Sequence, residues 1–220
     1  IEIAIDGDFS VANGITNDGT ITNNGIFNLD GGNFDNNGTF TNETCATFEI
    51  TEIINNSSTI TNNGVLTSNT TTSHENTLTS ANFTNNGLLY NLGNSSPFFN
   101  GGVFNDNGQT LANSSNTSIW TGCNDNTDWN NSLNWHSNTV PSTNDNVFIG
   151  SISTTNYPII DSDIGTIKSI TMTDGSLTIN STGTLTILNS DETALEILKG
   201  TINNAGIISI NRSGNHGIQM

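Results

Sequence analysis

Ile60-Thr61-Asn62-Asn63-Gly64-Val65-Leu66 carries the pattern on which this chain is built: an apolar residue, any residue, Asn, any residue, Gly, any residue, and an apolar residue again. The first five positions recur at Ile15–Gly19, Ile21–Gly25, Phe34–Gly38, Phe83–Gly87 and Ile202–Gly206, and at Phe104–Gly108 with Asp106 in place of the Asn. Looser copies at Ile179–Gly183 and Ile210–Gly214 keep only the apolar residue and the Gly. After most of these glycines an apolar residue resumes two positions on, as at Phe27, Phe40, Leu66 and Leu89, so each unit reads strand, turn, strand.

Asn and Gly both tolerate left-handed backbone, and Asn hydrogen-bonds its own main chain. Corners are therefore expected at Asn17, Gly19, Asn23, Gly25, Asn36, Gly38, Asn62, Gly64, Asn85, Gly87, Gly108 and Gly206. Hairpins give a similar local signal. Strands of only a few residues between many corners, with self-similarity over most of the chain, favour a solenoid instead. Successive full copies lie 6, 13, 26, 23 and 21 residues apart. The shortest interval is one face of a rung, and the later ones point to three faces. The expected fold is all-β: a parallel β-helix (β-solenoid), right-handed, with about three faces per rung.

Composition fits that reading. The chain holds 40 asparagines and 34 threonines, and its hydrophobic fraction is 32%. A narrow β-helical core suffices with that, because it takes only every second residue of a strand. Such polarity alone also suits a disordered tract, but the regular return of Ile, Phe and Leu argues for order. The net charge of −17 sets 20 acids against Lys168, Lys199 and Arg212. Nucleic acid is a poor partner for a surface without cations to neutralise phosphate, and an anionic membrane is no better. No apolar run approaches the roughly 20 residues of a membrane span. The acidic surface is expected to keep the protein soluble and to collect Ca²⁺ weakly at most, with no other cofactor. No signal peptide is evident and the chain begins at Ile1, which suggests a processed polypeptide or part of a longer one, with an extracellular or cell-surface address.

Three regions follow. Residues 1–118 read as an Asn/Gly-rich solenoid, with loops at 69–76 and 91–100. Residues 119–150 hold all three tryptophans, and 151–220 read as a second solenoid section richer in Ile. Trp120, Trp129 and Trp135 form either a packing cluster at a junction or an aromatic platform for a sugar ligand. Cys45 and Cys123 are either free thiols or disulfide-bonded; a bridge within one chain would require the segment around Cys123 to fold back, because rungs rise about 4.8 Å each.

The arrangement Trp120-Thr121-Gly122, Asp128-Trp129, Asn134-Trp135, Pro141, Asp145 and Val147-x-Ile149 resembles a module of giant secreted surface proteins of Bacteroidetes-type bacteria. There such a module leads into a short proline-containing stretch and then β-helical sequence, similar to Tyr157-Pro158-Ile159-Ile160 and Ile167–Thr171 here. The flanking Asn-Gly repeats are similar to those of filamentous-haemagglutinin-like β-helical adhesins. The resemblance implies export and a structural or adhesive role, and it carries over no catalytic residue.

β-Helical enzymes exist. Lyases of that fold need acids holding calcium and a Lys or Arg as base, and no such set converges in this sequence. Asn126-Thr127-Asp128 and Asn215-His216-Gly217 faintly match motifs of pectin-hydrolysing β-helices, but the accompanying paired-Asp and Arg-x-Lys elements are missing. His74, His136 and His216 lack ligand spacing and are expected at the surface. Asp6-Gly7-Asp8 and Asp161-Ser162-Asp163 are short acidic turns, and no convincing helix is found; 192–199 is the nearest candidate and reads equally as a strand. The expected function is non-catalytic: an extracellular stalk, filament subunit or adhesin that stacks head to tail on copies or on neighbouring modules. The alternative is a carbohydrate-binding module that holds surface glycans through Trp120, Trp129 and Trp135.

Overall fold

Short alternating strands broken by corners bury one side only by stacking on copies of themselves. The computed structural model describes residues 1–4, 7–112, 117–123, 126–150, 156–189, 193–212 and 217–220. Its strands pair in parallel and form a β-solenoid of about nine turns, in two compact units, Ile1–Ser114 and Ser115–Met220.

Three sheets make the three faces of the first unit. The first face stacks Glu2–Ile3, Thr20–Asn23, Thr39–Asn42, Thr59–Asn62, Asn82–Asn85 and Val103–Asp106. The second stacks Asp8–Val11, Ile26–Leu29, Thr47–Ile50, Val65–Ser68, Leu88–Asn91 and Gln109–Ala112. The third stacks Ile15–Asn17, Phe34–Asn36, Ile54–Asn56, His74–Asn76 and Phe99–Asn100. Equivalent residues on the first face are separated by 19, 20, 23 and 21 positions, so one rung is about twenty residues.

Strict register turns the apolar positions into columns. Ile21, Phe40, Ile60, Phe83 and Phe104 stand over one another on the first face. Phe9, Phe27, Phe48, Leu66 and Leu89 do so on the second. The columns interlock at the axis: Phe27 stacks on Phe48 at 4.9 Å and meets Phe34 edge-on at 6.1 Å. These geometries add to burial what offset and T-shaped aromatic pairs contribute.

The corners carry a second set of columns, made of amides. Asn23 Nδ2 donates to Asn42 Oδ1, Asn42 to Asn62, Asn62 to Asn85 and Asn85 to Asp106, at 2.7, 2.7, 2.8 and 2.7 Å. A parallel column runs Asn17, Asn36, Asn56, Asn76 at 2.7, 2.8 and 2.8 Å. The second N–H of each amide reaches a main-chain carbonyl of the next rung, for example Asn42 to Val65 and Asn62 to Leu88. Asn23, Asn36, Asn42, Asn56, Asn62 and Asn85 are fully buried. An unpaired amide there would cost about 1–3 kcal/mol, and the ladder removes that penalty at every rung.

The corner glycines have a different cause from the one expected. None of Gly19, Gly25, Gly38, Gly64, Gly87, Gly108 and Gly206 has a left-handed φ. What all of them except Gly19 lack is space: a methyl on Gly38, Gly87 or Gly108 would press into the carbonyl oxygen of the glycine one rung below, Gly19, Gly64 or Gly87. Left-handed glycine lies at the remaining corner, between the second and third faces, where Gly14 and Gly32 have φ of 75° and 74°.

That third corner, which has no amide column, is also where the chain lengthens. The expected loops at 69–76 and 91–100 both begin there, but each gives way to a strand of the third face, at His74–Asn76 and Phe99–Asn100. Phe98 and Phe99 are buried rather than exposed.

The second unit repeats the plan with fewer rungs. One sheet stacks Thr117–Ile119, Asn146–Ile149, Ser169–Met172, Leu195–Ile197 and Ile218–Gln219. The others stack Ile159–Ile160, Ser176–Ile179 and Thr201–Asn204, and Asp163–Ile167, Thr184–Asn189 and Ile207–Arg212. Of the two readings of 192–199, helix and strand, the strand is the one formed, at Leu195–Ile197. Its core is aliphatic, with Ile170, Met172, Leu177, Ile179, Leu185 and Ile187 fully buried. Ile179 fills the corner position that aligns with Asn204 in the next rung, so no buried amide column forms on that face.

The steric account of the corners separates two substitutions that look alike in sequence. Gly87→Ala should lower unfolding free energy by about 1–3 kcal/mol, as overpacking against fixed main chain does. Gly19→Ala, with nothing within 4 Å of the added methyl and an ordinary φ, should be neutral or slightly stabilising. Urea denaturation of the two variants checks this.

Candidate functional site

The tryptophan segment forms the first turn of the second unit. After Thr117–Ile119 the chain leaves the sheet, and Trp120 pairs with Trp135 in an antiparallel bridge. The Thr121 and Gly122 N–H groups both donate to the Asn134 carbonyl, at 2.8 and 3.2 Å. A single 3₁₀ turn, Ser132–Asn134, is capped by the Asn131 side chain, which accepts from Leu133 N–H at 3.1 Å. Asn134 then donates to Asn126 Oδ1 at 2.6 Å and to the Asp128 carbonyl at 2.9 Å. Asn126-Thr127-Asp128, faintly hydrolase-like in sequence, thus serves as the bracket of a turn. Ile159 N–H donates to Thr127 O at 2.7 Å and joins this turn to the next rung.

The three indoles meet at near right angles: Trp120 to Trp135 at 5.0 Å and 84°, Trp129 to Trp135 at 4.8 Å and 73°. Trp120 and Trp129 are 0% exposed and Trp135 1%. A sugar-stacking platform needs an open ring face, and these rings offer none; their role is to fill the core of this turn against Val147, Ile149 and Ile160. Trp120 Nε1 donates to Asn156 O at 2.7 Å and Trp135 Nε1 to Trp129 O at 2.9 Å. Among the described residues Trp129 Nε1 has no hydrogen-bond partner.

Neither cysteine is a free thiol: Cys45 and Cys123 are both disulfide-bonded. Cys45 sits at φ 77° in the corner 43–46, which is two residues longer than the Asn-x-Gly corners above and below it.

Two histidines expected at the surface are structural. His74 points into the first unit's core one rung beyond Ile54, 0% exposed, with its ring 4.7 Å from Phe98 and 5.2 Å from Phe99. Its Nδ1 accepts from Ile54 N–H at 2.9 Å, and its Nε2 lies 2.9 Å from Ser68 Oγ, also buried. An accepting Nδ1 fixes the neutral tautomer with the proton on Nε2, which donates to Ser68. His136 is half-buried and its Nδ1 accepts from Ile119 N–H at 3.0 Å. Burial lowers the His74 pKa to about 3 and that of His136 to about 4. His216 lies outside the described residues.

The acids are used as acceptors at corners and on outer rows. Asp161 takes the Asn180 amide through its carboxylate and the Thr182 hydroxyl through its carbonyl, and Asp163 Oδ1 takes the Gly165 N–H at 2.9 Å. Of the other acidic turn, Asp6 lies outside the described residues, and Asp8 accepts from Ser10 at 3.2 Å. Glu49 is raised by burial and by the carboxylates of Asp30 and Asp8. Lys199 and Asp174 pair at 2.9 Å on the surface. Among the described residues no three His, Cys, Asp or Glu side chains come together as a metal would require, and no helix is long and apolar enough to cross a membrane.

Sequence reasoning missed His74 because the polar run Asn69–Asn76 hides the apolar alternation. The signal that finds it is the rung length: His74 follows Ile54, and Asn76 follows Asn56, by 20 residues.

The histidines make stability depend on pH with a definite sign. Their folded pKa values lie below the unfolded value near 6.5, so the unfolded chain binds more protons below that pH. Stability is therefore full above about pH 6.5 and falls as the pH drops toward 4 and then 3, by about 1.4 kcal/mol per pH unit for each histidine. The raised Glu49 works in the opposite sense. Urea titrations from pH 7 to 4.5 should show this decline, with a smaller slope in His74→Leu.

Residues 119–220, rather less than half of the chain, match the model of a family described as a domain of unknown function (DUF8693). No curated protein and no solved structure matches the chain.

Proposed function

We propose that this protein is a non-catalytic extracellular structural protein, a stalk, filament subunit or cell-surface adhesin that extends by stacking β-solenoid rungs. The observation that carries the reading is the edge rung of the second unit. Core positions that are buried one rung earlier, at Leu177, Leu185, Ile187 and Leu195, become half-buried at Ile202, Ile208 and Ile210 and 55% exposed at Ile218. Among the described residues, Thr201–Asn204, Ile207–Arg212 and Ile218–Gln219 are edge strands, hydrogen-bonded on one side only. A further rung, from a second copy or from a neighbouring module of a longer polypeptide, would cover those side chains and pair those edges.

Two further facts support the reading. Disulfide-bonded cysteines suit an oxidising compartment. The likeness of the tryptophan segment to secreted bacterial surface proteins suggests the same address and an adhesive role. The buried indoles lead us to prefer stacking over glycan binding by those rings.

Self-stacking has a direct test. The chain should form end-to-end oligomers whose sedimentation rises with concentration and which appear as thin rods by negative-stain electron microscopy. Ile218→Lys, which puts a charge in the open core column, should shift it to monomer. A wild-type chain that stays monomeric at every concentration would remove the self-stacking version.

A further inference from the structure

The outward side of the first face differs from every other surface of the first unit. Thr-x-Thr recurs at Thr20–Thr22, Thr39–Thr41 and Thr59–Thr61, and the register sets these residues directly over one another. Two columns of threonine result, the second continuing to Thr84. Adjacent strands lie about 4.8 Å apart, and alternate residues along a parallel strand about 6.6 Å apart, so the hydroxyls and methyls form a two-dimensional grid.

Three observations indicate that the grid faces a partner outside the chain. The first is charge. In a protein of net charge −17, the outward positions of this face carry no charge beyond Glu2 at its first strand. The second face holds Asp8 and Glu49, and the third Asp35 and Glu75.

The second is hydrogen bonding. Several amides of the other faces and corners are paired: Asn37 to Asp18 at 2.8 Å, Asn55 to Asp35 at 2.7 Å, Asn100 to Glu75 at 2.8 Å. Among the described residues, none of the hydroxyls of Thr20, Thr22, Thr39, Thr41, Thr59 and Thr61 bonds to a protein group, and only Thr84, at the end of the second column, turns to Asn82 Oδ1 at 3.5 Å. The third is rigidity, because the Asn23–Asp106 ladder runs along the inward end of the same strands, and side-chain ladders oppose the twist that would curve the grid.

We propose that this face binds ice. A neutral, regular array of hydroxyl and methyl groups has no electrostatic handle for a dissolved ion or a charged polymer. It suits a solid whose surface repeats in two perpendicular directions at comparable distances and presents both donors and acceptors, as the prism faces of crystalline water do. Threonine supplies both parts of the contact: the methyl orders adjacent water and the hydroxyl joins the lattice. The stacking proposed above neither requires this activity nor is required by it.

The test uses the full chain. Ice crystals grown in its presence should be shaped and show thermal hysteresis, and recrystallisation in a frozen solution should slow. Thr41→Tyr, a protrusion at the centre of the grid, should abolish these effects while the circular dichroism spectrum and unfolding midpoint stay unchanged. Thr16→Tyr, on the outward side of the third face, should leave them intact. Absence of ice shaping by the wild-type chain, or activity that survives Thr41→Tyr, would overturn the proposal. So would a wild-type chain that leaves ice unaltered but sediments with crystalline chitin or cellulose through the same threonines.

Discussion

The buried asparagine column is the constraint from which the rest of the first unit follows. An amide placed where a core side chain would otherwise stand is tolerable only if both N–H groups and the carbonyl are met, and here the partners are the equivalent amides of adjacent rungs and the main chain of the corners beside them. The column therefore demands a one-to-one register, since a slip of one residue would turn every asparagine outward and orphan its neighbours. It also demands that corners approach closely, and this is why glycine follows two residues later. The apolar columns are then aligned as a consequence.

Hydrogen-bond direction explains where acids stand. Within the buried column every Nδ2 donates toward the C-terminal rung, and the last member, Asp106, can only accept, which ends the chain of donors without leaving one unmet. On the outer rows the direction reverses. Asn37 donates back to Asp18, Asn55 to Asp35 and Asn86 to Asn63, which donates to Glu43. The carboxylates sit at the terminal acceptor positions of these rows. A chain with so many acids and so few bases thus uses several of its carboxylates as ends of amide ladders, and its negative charge is in part a by-product of that arrangement.

Much of the fold was legible because its signal is periodic. Apolar alternation and the recurring Asn-x-Gly gave the solenoid and, through the later spacings, three faces. The irregular intervals of 6 and 13 arise because the first rung carries the full motif at both of its amide corners while later rungs keep the Asn at both but the Gly at only one, a distinction only the register of Asn17 against Asn36 and Asn23 against Asn42 makes visible. The reason for glycine was misread, since contact between stacked corners leaves no mark in a local turn pattern. His74 was hidden for a related cause: a histidine completing a core through Ser68 and the Ile54 N–H is indistinguishable in sequence from a polar loop. The tryptophans were recognised as a distinct segment, but the edge-to-face packing that buries them depends on Asn126, Asn131 and Asn134, whose roles are set by the turn they build together.

The most direct measurement of the ladder's importance compares two adjacent asparagines. Asn62 is buried between Asn42 and Asn85, whereas Asn63 lies on the outer row between Glu43 and Asn86. Urea unfolding of Asn62→Ala should show a loss of about 3 kcal/mol or more, because it strands a donor on Asn42 and an acceptor on Asn85, while Asn63→Ala should cost no more than about 0.5 kcal/mol. Equal and small losses from the two substitutions would contradict the account.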